Sequence, residues 1–355
     1  MKRLVGRSAA ILALVGGTAA VVVTAATAKP AKSIQVCVLL PDTKSSVRWV
    51  QFDAPDFAKA LKAAGVTYSI TNALNDPLKQ KAQAQACLAA GAKVVVETAL
   101  DNGSAASIEK LFTSKGGKAI DYDRQVSGGS ASVYVTFDGK AVGAAQAHGV
   151  IGWMKAKGTY KKTSTVAELW GGHTDQNAFW FKSGNDAVLN KLFKKGALKK
   201  GPTQFVPDWD ANNAATIVNQ MLVKTSNNIQ GVIAANDNIA GAVIADLKAK
   251  HLKPLPLSGQ DATPQGVQYI ISGWQTGTVY KYVPDEAKAA AAAAVALLNG
   301  QTPKTNGFRL NGKTKEPTEA LPVVWITKAN YKRLFTDKFL KKSDVCIGTY
   351  AQYCK

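Results

Sequence analysis

The stretch GVIAANDNIAGAVIADLKA at 231–249 joins two periodicities. A short run of small and β-branched apolar residues reads as a strand buried on both faces, and it stops at Asn236-Asp237. Beyond that point Ala, Val, Ile and Leu recur at helical spacing. An amide and a carboxylate at such a junction have a local use, because Asn and Asp before a helix accept hydrogen bonds from its free N–H groups. In an open parallel sheet they have a second use, since ligands bind in the crevice beyond the carboxyl ends of the strands. One junction does not separate the two, so its neighbours matter.

Outward from this stretch, strand and helix alternate from Ser33 onward. IQVCVLL (34–40) is followed by APDFAKALKAAG (54–65), TYSITNA (67–73) by a helix that Asp76-Pro77 opens, and AKVVVETA (92–99) by SAASIEKLFTSKG (104–116). After GKAIDYDR (117–124) the rhythm pauses, then repeats with strands at TSTVAELWGG (163–172), PTQFVPDW (202–209) and QGVIAAND (230–237). Strands separated by helices of this length predict parallel sheets covered on both faces, here in two α/β halves of similar plan. GFRLNGKTKEPTEALPVVWIT (307–327) reads as strand and connection returning over both halves.

The 355 residues are 46% hydrophobic and 19% charged, an ordinary globular composition long enough for two domains. Lys2, Arg3 and Arg7, the apolar run at 9–23 and Ala-Thr-Ala at 26–28 predict a cleaved secretory signal over 1–28. No Cys follows the apolar run to take a lipid, so the expected location is the periplasm, the cell wall or the medium. Four cysteines suit export: Cys346 with Cys354 and Cys37 with Cys87 are the expected disulfides. The net charge of +20 falls to +17 without the three signal cations. The lysines are spread through the chain without interleaved aromatics, which predicts a solvated surface and no specific nucleic-acid partner. His148, His173 and His251 are scattered, and no metal spacing, phosphate loop or cofactor motif is present.

Other strand ends share the property of the first. Arg48-Trp49, Asp123-Arg124, Asp175 with Asn177, Trp209, Gln260-Asp261 and Lys281 all fall on the carboxyl side of their strands. Capping accounts for some of them, but not for Arg and Trp as well. Two such edges facing one another make a polar cleft with an indole in it. That mixture suits a carbohydrate. Carboxylates and amides accept from sugar hydroxyls, Arg and Lys donate to them, and the apolar C–H face of the ring stacks on Trp.

These residues sit in segments that resemble the periplasmic sugar-binding proteins of ABC importers, of the ribose/galactose type and its D-xylose-binding branch. The segments are RW (48–49), DYDR (121–124), FDGKAVG (137–143), DQNA (175–178), DW (208–209), ANDNIAGA (235–242), SGQDATPQGVQYIISGWQTGTVYK (258–281) and TKANY (327–331). The resemblance implies a type I periplasmic binding protein fold: two doubly wound parallel-sheet domains, joined by three crossovers, with a ligand cleft between them. It implies lobes of 33–137 plus 279–303 and of 138–276 plus 320–355, with crossings near 137–138, near 277–279 and between 303 and 320. Arg48, Asp123, Arg124, Asn177, Trp209, Asn236, Asp261 and Lys281 would line the sugar pocket, and Asp237 would serve its helix. Trp49 and Trp180 are left outside that set, Trp180 as a core residue of a helical stripe. Gln176 and the DTKSSVRW segment depart from the family pattern, which bears on the choice of sugar.

The implied function is capture of a monosaccharide, D-xylose first, by a monomer whose lobes close by hinge motion and present it to an ABC permease. A chemoreceptor is compatible as a second partner. No cofactor, metal or chemistry is expected. The alternative is a sugar-active enzyme using Asp123, Asp175 or Asp261, which needs one carboxyl held protonated; the interleaved Arg and Lys argue against it. A transcriptional regulator of the same fold would carry a DNA-binding helix pair where the signal stands.

Overall fold

The computed structural model describes residues 33–354, so the expected signal at 1–28 lies outside the described residues. The first half runs β1 (Val36–Leu40), α1 (Ala54–Ala63), β2 (Tyr68–Asn72), α2 (Pro77–Ala89), β3 (Val94–Glu97), α3 (Asn102–Thr113), β4 (Lys118–Tyr122) and β5 (Val133–Phe137). The second runs α4 (Gly139–Ala156), β6 (Thr165–Trp170), α5 (Gln176–Lys194), β7 (Lys199–Phe205), α6 (Ala211–Lys224), β8 (Gly231–Ala234) and α7 (Asp237–Ala249). Then come α8 (Pro264–Ser272), β9 (Thr278–Tyr280), α9 (Val283–Leu298), β10 (Gly307–Asn311), β11 (Thr314–Leu321) and β12 (Val324–Ile326).

The larger sheet has the order β10-β11-β5-β4-β3-β1-β2, parallel except for the edge strand β10. The smaller is β7-β6-β8, all parallel, and β9 pairs antiparallel with β12. Every residue of β1 and β3 is buried, as strands sandwiched between helix layers must be. In each sheet the order reverses beside one strand, at β1/β3 in the larger and at β6/β8 in the smaller. The loops that leave those strand ends diverge to opposite faces and open a crevice.

One device starts most of the helices. Asp76, Asp101, Asp138, Asp175, Asp210 and Asn236 each accept a backbone N–H of the first turn. Each such cap contributes about 1 kcal/mol. Cys37 pairs with Cys87, tying β1 to α2, and Cys346 pairs with Cys354 in the tail.

The chain crosses between the sheets three times. The first crossing follows β5 at Asp138. From sequence the second was expected near 277–279, but β9 stays with the second half through the Gln260–Val279 bridge, and only α9 packs on the larger sheet, so the crossing falls at 281–282. The third was expected between 303 and 320. Those residues instead form the β10–β11 hairpin, which extends the larger sheet beside β5, and the crossing follows Leu321. The exposed, charge-rich edge and Pro317 disguise that hairpin as a connection.

Candidate functional site

The carboxyl edges of the two sheets face one another across a narrow, nearly filled cavity with about 20 Å³ open to the centre of a water molecule. All eight residues singled out from sequence line it: Arg48 after β1, Asp123 and Arg124 after β4, Asn177 at the start of α5, Trp209 after β7, Asn236 after β8, and Asp261 and Lys281 on either side of α8 and β9.

The Arg48 guanidinium is the centre of a buried ion cluster. A turn of π-helix at Trp49–Asp53 brings Asp53 back to grip it with two hydrogen bonds, at 2.9 and 2.6 Å. Glu286 of α9 accepts at 2.6 Å and Asp123 at 2.7 Å. Four of the five N–H donors of Arg48 are thereby committed, so its main work is to hold Asp123. The Lys281 ammonium donates to the same Asp123 oxygen at 3.0 Å and lies 3.7 Å from Asp261. Burial alone would raise the Asp123 carboxyl, but Lys281 and Arg48 outweigh it and hold the group well below the usual carboxylate range.

Asp123 and Arg124, neighbours in sequence, do not pair with each other. Arg124 pairs instead with Asp175 at 3.1 Å and donates to Ala99 O and Ser45 Oγ. Burial pushes the Asp175 carboxyl up, opposed by Arg124. Asn177 Nδ2 donates to Asp123 O at 2.8 Å. Ser46 Oγ donates to Asp261 at 2.8 Å, and Asn236 Nδ2 donates to Ser45 O at 2.9 Å. These bonds join the two edges directly, so the cleft is closed.

Asn236 performs both tasks that its position allowed. Its Oδ1 caps α7 by accepting from Ile239 N at 3.0 Å, while its Nδ2 reaches across the cleft. Asp237 turns away from the cavity. It accepts from Gln275 at 2.8 Å and from Thr263 N at 2.9 Å, holding the loop that carries Asp261. Burial lifts its carboxyl to about 7.

Backbone geometry adds a further sign of a built site. Asp123, Trp209 and Asp261 adopt left-handed conformations, with φ of 59°, 57° and 94°. Each such residue costs on the order of 1–3 kcal/mol and persists where its surroundings impose it. The Trp209 indole packs so closely on Gly171 that any Cβ there would overlap it. Four polar atoms of lining residues are buried without a hydrogen bond: Trp209 Nε1 and Gln260 Oε1 have no partner, while Arg124 Nε and Asp261 Oδ1 have only an ion-pair neighbour, Asp175 at 3.1 Å and Lys281 at 3.7 Å. Two are donors and two are acceptors.

The lining also includes residues outside the sequence-based set: Ser45, Ser46, Trp49, Asp175, Phe181 and Gln260. Asp175 and Gln260 carry the same strand-end signal as the eight. Trp49 is stacked on by Arg48 at 4.5 Å, with Arg124 at 5.3 Å; the adjacent Arg in RW was its only signal. Phe181 rather than Trp180 enters the cavity from α5, and Trp180 packs against the core as expected. Among the described residues no group of three or more His, Cys, Asp or Glu side chains is placed to hold a metal ion.

Comparison with known proteins agrees with this architecture. Residues 36–302 match the periplasmic binding protein domain. The D-xylose-binding periplasmic protein of Escherichia coli (strain K12) is 30% identical over 317 residues, covering 89% of this chain and 93% of that protein. The multiple sugar-binding periplasmic receptor ChvE of Rhizobium radiobacter is 29% identical, covering 85% and 89%. Among solved structures, a carbohydrate transporter solute binding protein from Chloroflexus aurantiacus, in complex with D-glucose, superposes with a TM-score of 0.80 at 30% identity, covering 88% of this chain and 98% of that one. With two switch-point sheets, three crossings and a match over most of its length, this chain belongs to the periplasmic binding protein family and has its type I fold.

Proposed function

We propose that this protein captures one monosaccharide in the closed cleft, D-xylose being the first expectation, and hands it to an ABC transporter permease. The observation that carries this reading is the set of polar atoms around the cavity that make no hydrogen bond: two donors and two acceptors, beside two indoles. A sugar hydroxyl donates and accepts at once, so neighbouring hydroxyls match a mixed set that neither an anion nor a cation would satisfy. Trp209 and Trp49 offer apolar faces to the ring. The inter-edge hydrogen bonds of Ser46 and Asn236 support closure by hinge motion, with the three crossings as the hinge. The relatives named above bind xylose, several sugars and glucose, which supports a sugar and favours xylose among them.

Binding is favoured over catalysis by the partners of the cleft carboxylates. Asp123 is clamped by two cations, Asp175 faces Arg124, and Asp261 accepts from Ser46. A glycosidase acid needs a carboxyl free of such partners. Asp123, Arg124, Asn177, Trp209, Asn236, Asp261 and Lys281, together with Trp49, Asp175 and Gln260, are the proposed contacts, with Arg48 positioning Asp123. A family working outside the cytoplasm and the sequence of the first 28 residues support export, with the loaded form also available to a chemoreceptor.

The test is tryptophan fluorescence of the ligand-stripped protein against D-xylose, D-ribose, L-arabinose, D-glucose, D-galactose and myo-inositol. Saturable change with a sugar, D-xylose at the lowest concentration, is the expected result. Saturation by another sugar alone would move the specificity, and silence with all six would remove the sugar reading.

A further inference from the structure

The end of the second half opposite the cleft carries a concentrated positive charge that sugar binding does not use. KAKGTYKK (155–162) holds four lysines and KLFKKGALKK (191–200) five, with no acidic residue in either. From sequence such lysines read as a dispersed, solvated surface. The fold gathers them, because the C-termini of α4 and α5 and the starts of the parallel strands β6 and β7 all lie at the same sheet edge. Lys199 N donates to Ser164 O at 2.9 Å and Ser164 N to Lys161 O at 2.9 Å, while Thr165 is paired with Lys199 and Val166 with Lys200. The end of α6 adds Lys224, and KAKHLK (248–253), from the last turn of α7 onward, adds three more.

All nine lysines of the two segments are exposed, and among the described residues none of them is in an ion pair. Complementing helix C-termini accounts for those in the last turns, but not for Lys161, Lys162, Lys199 and Lys200, which belong to a loop and to strand starts. The matching edge of the larger sheet is sparser, with Lys62, Lys93, Lys115 and Lys118 across three strand starts.

We infer that this pole is a docking surface for a linear polymer of phosphate groups, of the phosphodiester-chain class found in cell envelopes. Three observations select a flexible polyanion over a bilayer or a folded acidic protein. The cations are all lysines, point charges without the planar fork that reads a defined carboxylate or phosphate geometry. They are spread over several helix and strand ends, a track for a chain rather than a pocket. The aromatic side chains among them are not free to insert into lipid, since Lys157 lies 5.0 Å over Trp153 and Lys155 lies 5.2 Å over Tyr160. The pole is at the opposite edge of the sheet from the cleft, so a chain held there retains the protein without closing the mouth of the site.

The experiment measures binding of the described protein to long-chain inorganic polyphosphate by fluorescence anisotropy between 50 and 200 mM salt. Affinity should fall steeply, by about 0.7 in the log–log slope for each lysine engaged. Two variants separate the pole from net charge. One changes Lys161, Lys162, Lys195, Lys199 and Lys200 to Gln; the other changes Lys59, Lys62, Lys79, Lys81 and Lys110, exposed lysines of the first half, to Gln. The first should lose roughly tenfold or more and flatten the salt slope, and the second should lose less than about twofold. Equal losses in the two variants would overturn the assignment, as would no binding by the unmodified protein. Binding to phosphatidylglycerol vesicles without binding to polyphosphate would overturn the choice of partner.

Discussion

Two sets of buried carboxylates lie at the same edge of the larger sheet, and they behave in opposite ways. Asp123, just past the end of β4, faces the cleft and receives Arg48 and Lys281. Asp121, two residues earlier and still within the strand, faces α3 and the β10–β11 hairpin. There it meets Glu109 and Glu316, with Glu97 beyond Glu109 and no cation among them. Burial pushes all four of these carboxyls up, and repulsion from neighbouring carboxylates adds to it for Glu97, Asp121 and Glu316. Each has one oxygen or both without a hydrogen-bond donor, whereas the others are held by Val126 N, Ser130 N, Gln125 and Asn311. Burial is the same on both sides; the partners differ. A left-handed turn at Asp123 moves one carboxylate from the group that burial pushes up to the group that cations hold down, where it can organise a ligand.

The difference makes predictions that break it or sharpen it. The largest effect is expected from Asp123→Ala, which strands Arg48 and Lys281 without their shared counter-charge. Removing one partner of a buried pair costs about 3–5 kcal/mol, read by urea unfolding, and sugar binding should vanish. If the variant were as stable as the native protein, the ion cluster would not organise the site.

Asp237 provides a carboxyl lifted to about 7, by burial first and by the charge of Asp261 besides. Its folded value lies above the unfolded value near 4, so its contribution is fully present below about pH 4 and is lost as pH rises through about 7, on the order of 4 kcal/mol. Unfolding curves collected from pH 4 to pH 8 should show that decline, and Asp237→Asn should flatten it.

Asp121→Asn tests the unpaired set. Its folded-state protonation is also favoured, so stability again falls with rising pH. The amide cannot ionise and should flatten that decline, with more gained at pH 8 than at pH 5. Asp123→Ala, in contrast, should cost the same at both values, because Asp123 is ionised throughout that range.

The smallest effect is expected from Asn236→Asp. An aspartate caps α7 as well as asparagine does, but it cannot donate to Ser45 O across the cleft. The melting temperature should hold within a degree or two, while sugar affinity falls by about 1 kcal/mol, or roughly fivefold, in a titration. Equal losses in both would mean that Asn236 acts as a cap alone.

Much of this site was legible at strand-to-helix junctions. There the change from buried-strand to helical periodicity marks the carboxyl edge, and polar residues at that edge have few places to go. All eight residues named from sequence reach one cavity for that reason. Ser45 and Ser46 were not legible, because nothing in DTKSSVRW signals the turn that folds them over the cleft. Phe181 was hidden in an apolar helical stripe, where its direction depends on the packing of α4 against α5 at Gly143 and Gly184. The β10–β11 hairpin and the lysine pole were missed for a shared reason. Each depends on which distant segments become neighbours, and neither an edge strand nor a lysine-rich loop carries a local sign of its partner.

The measurement that tests the central claim most directly is calorimetric titration of the ligand-stripped protein with D-xylose, alongside Trp209→Ala and Asp261→Ala. A single site per chain with saturating heat, lost in both variants while their folding is retained, is the predicted result. A folded, empty native protein that gives no heat, or variants that bind as tightly as the native protein, would contradict it.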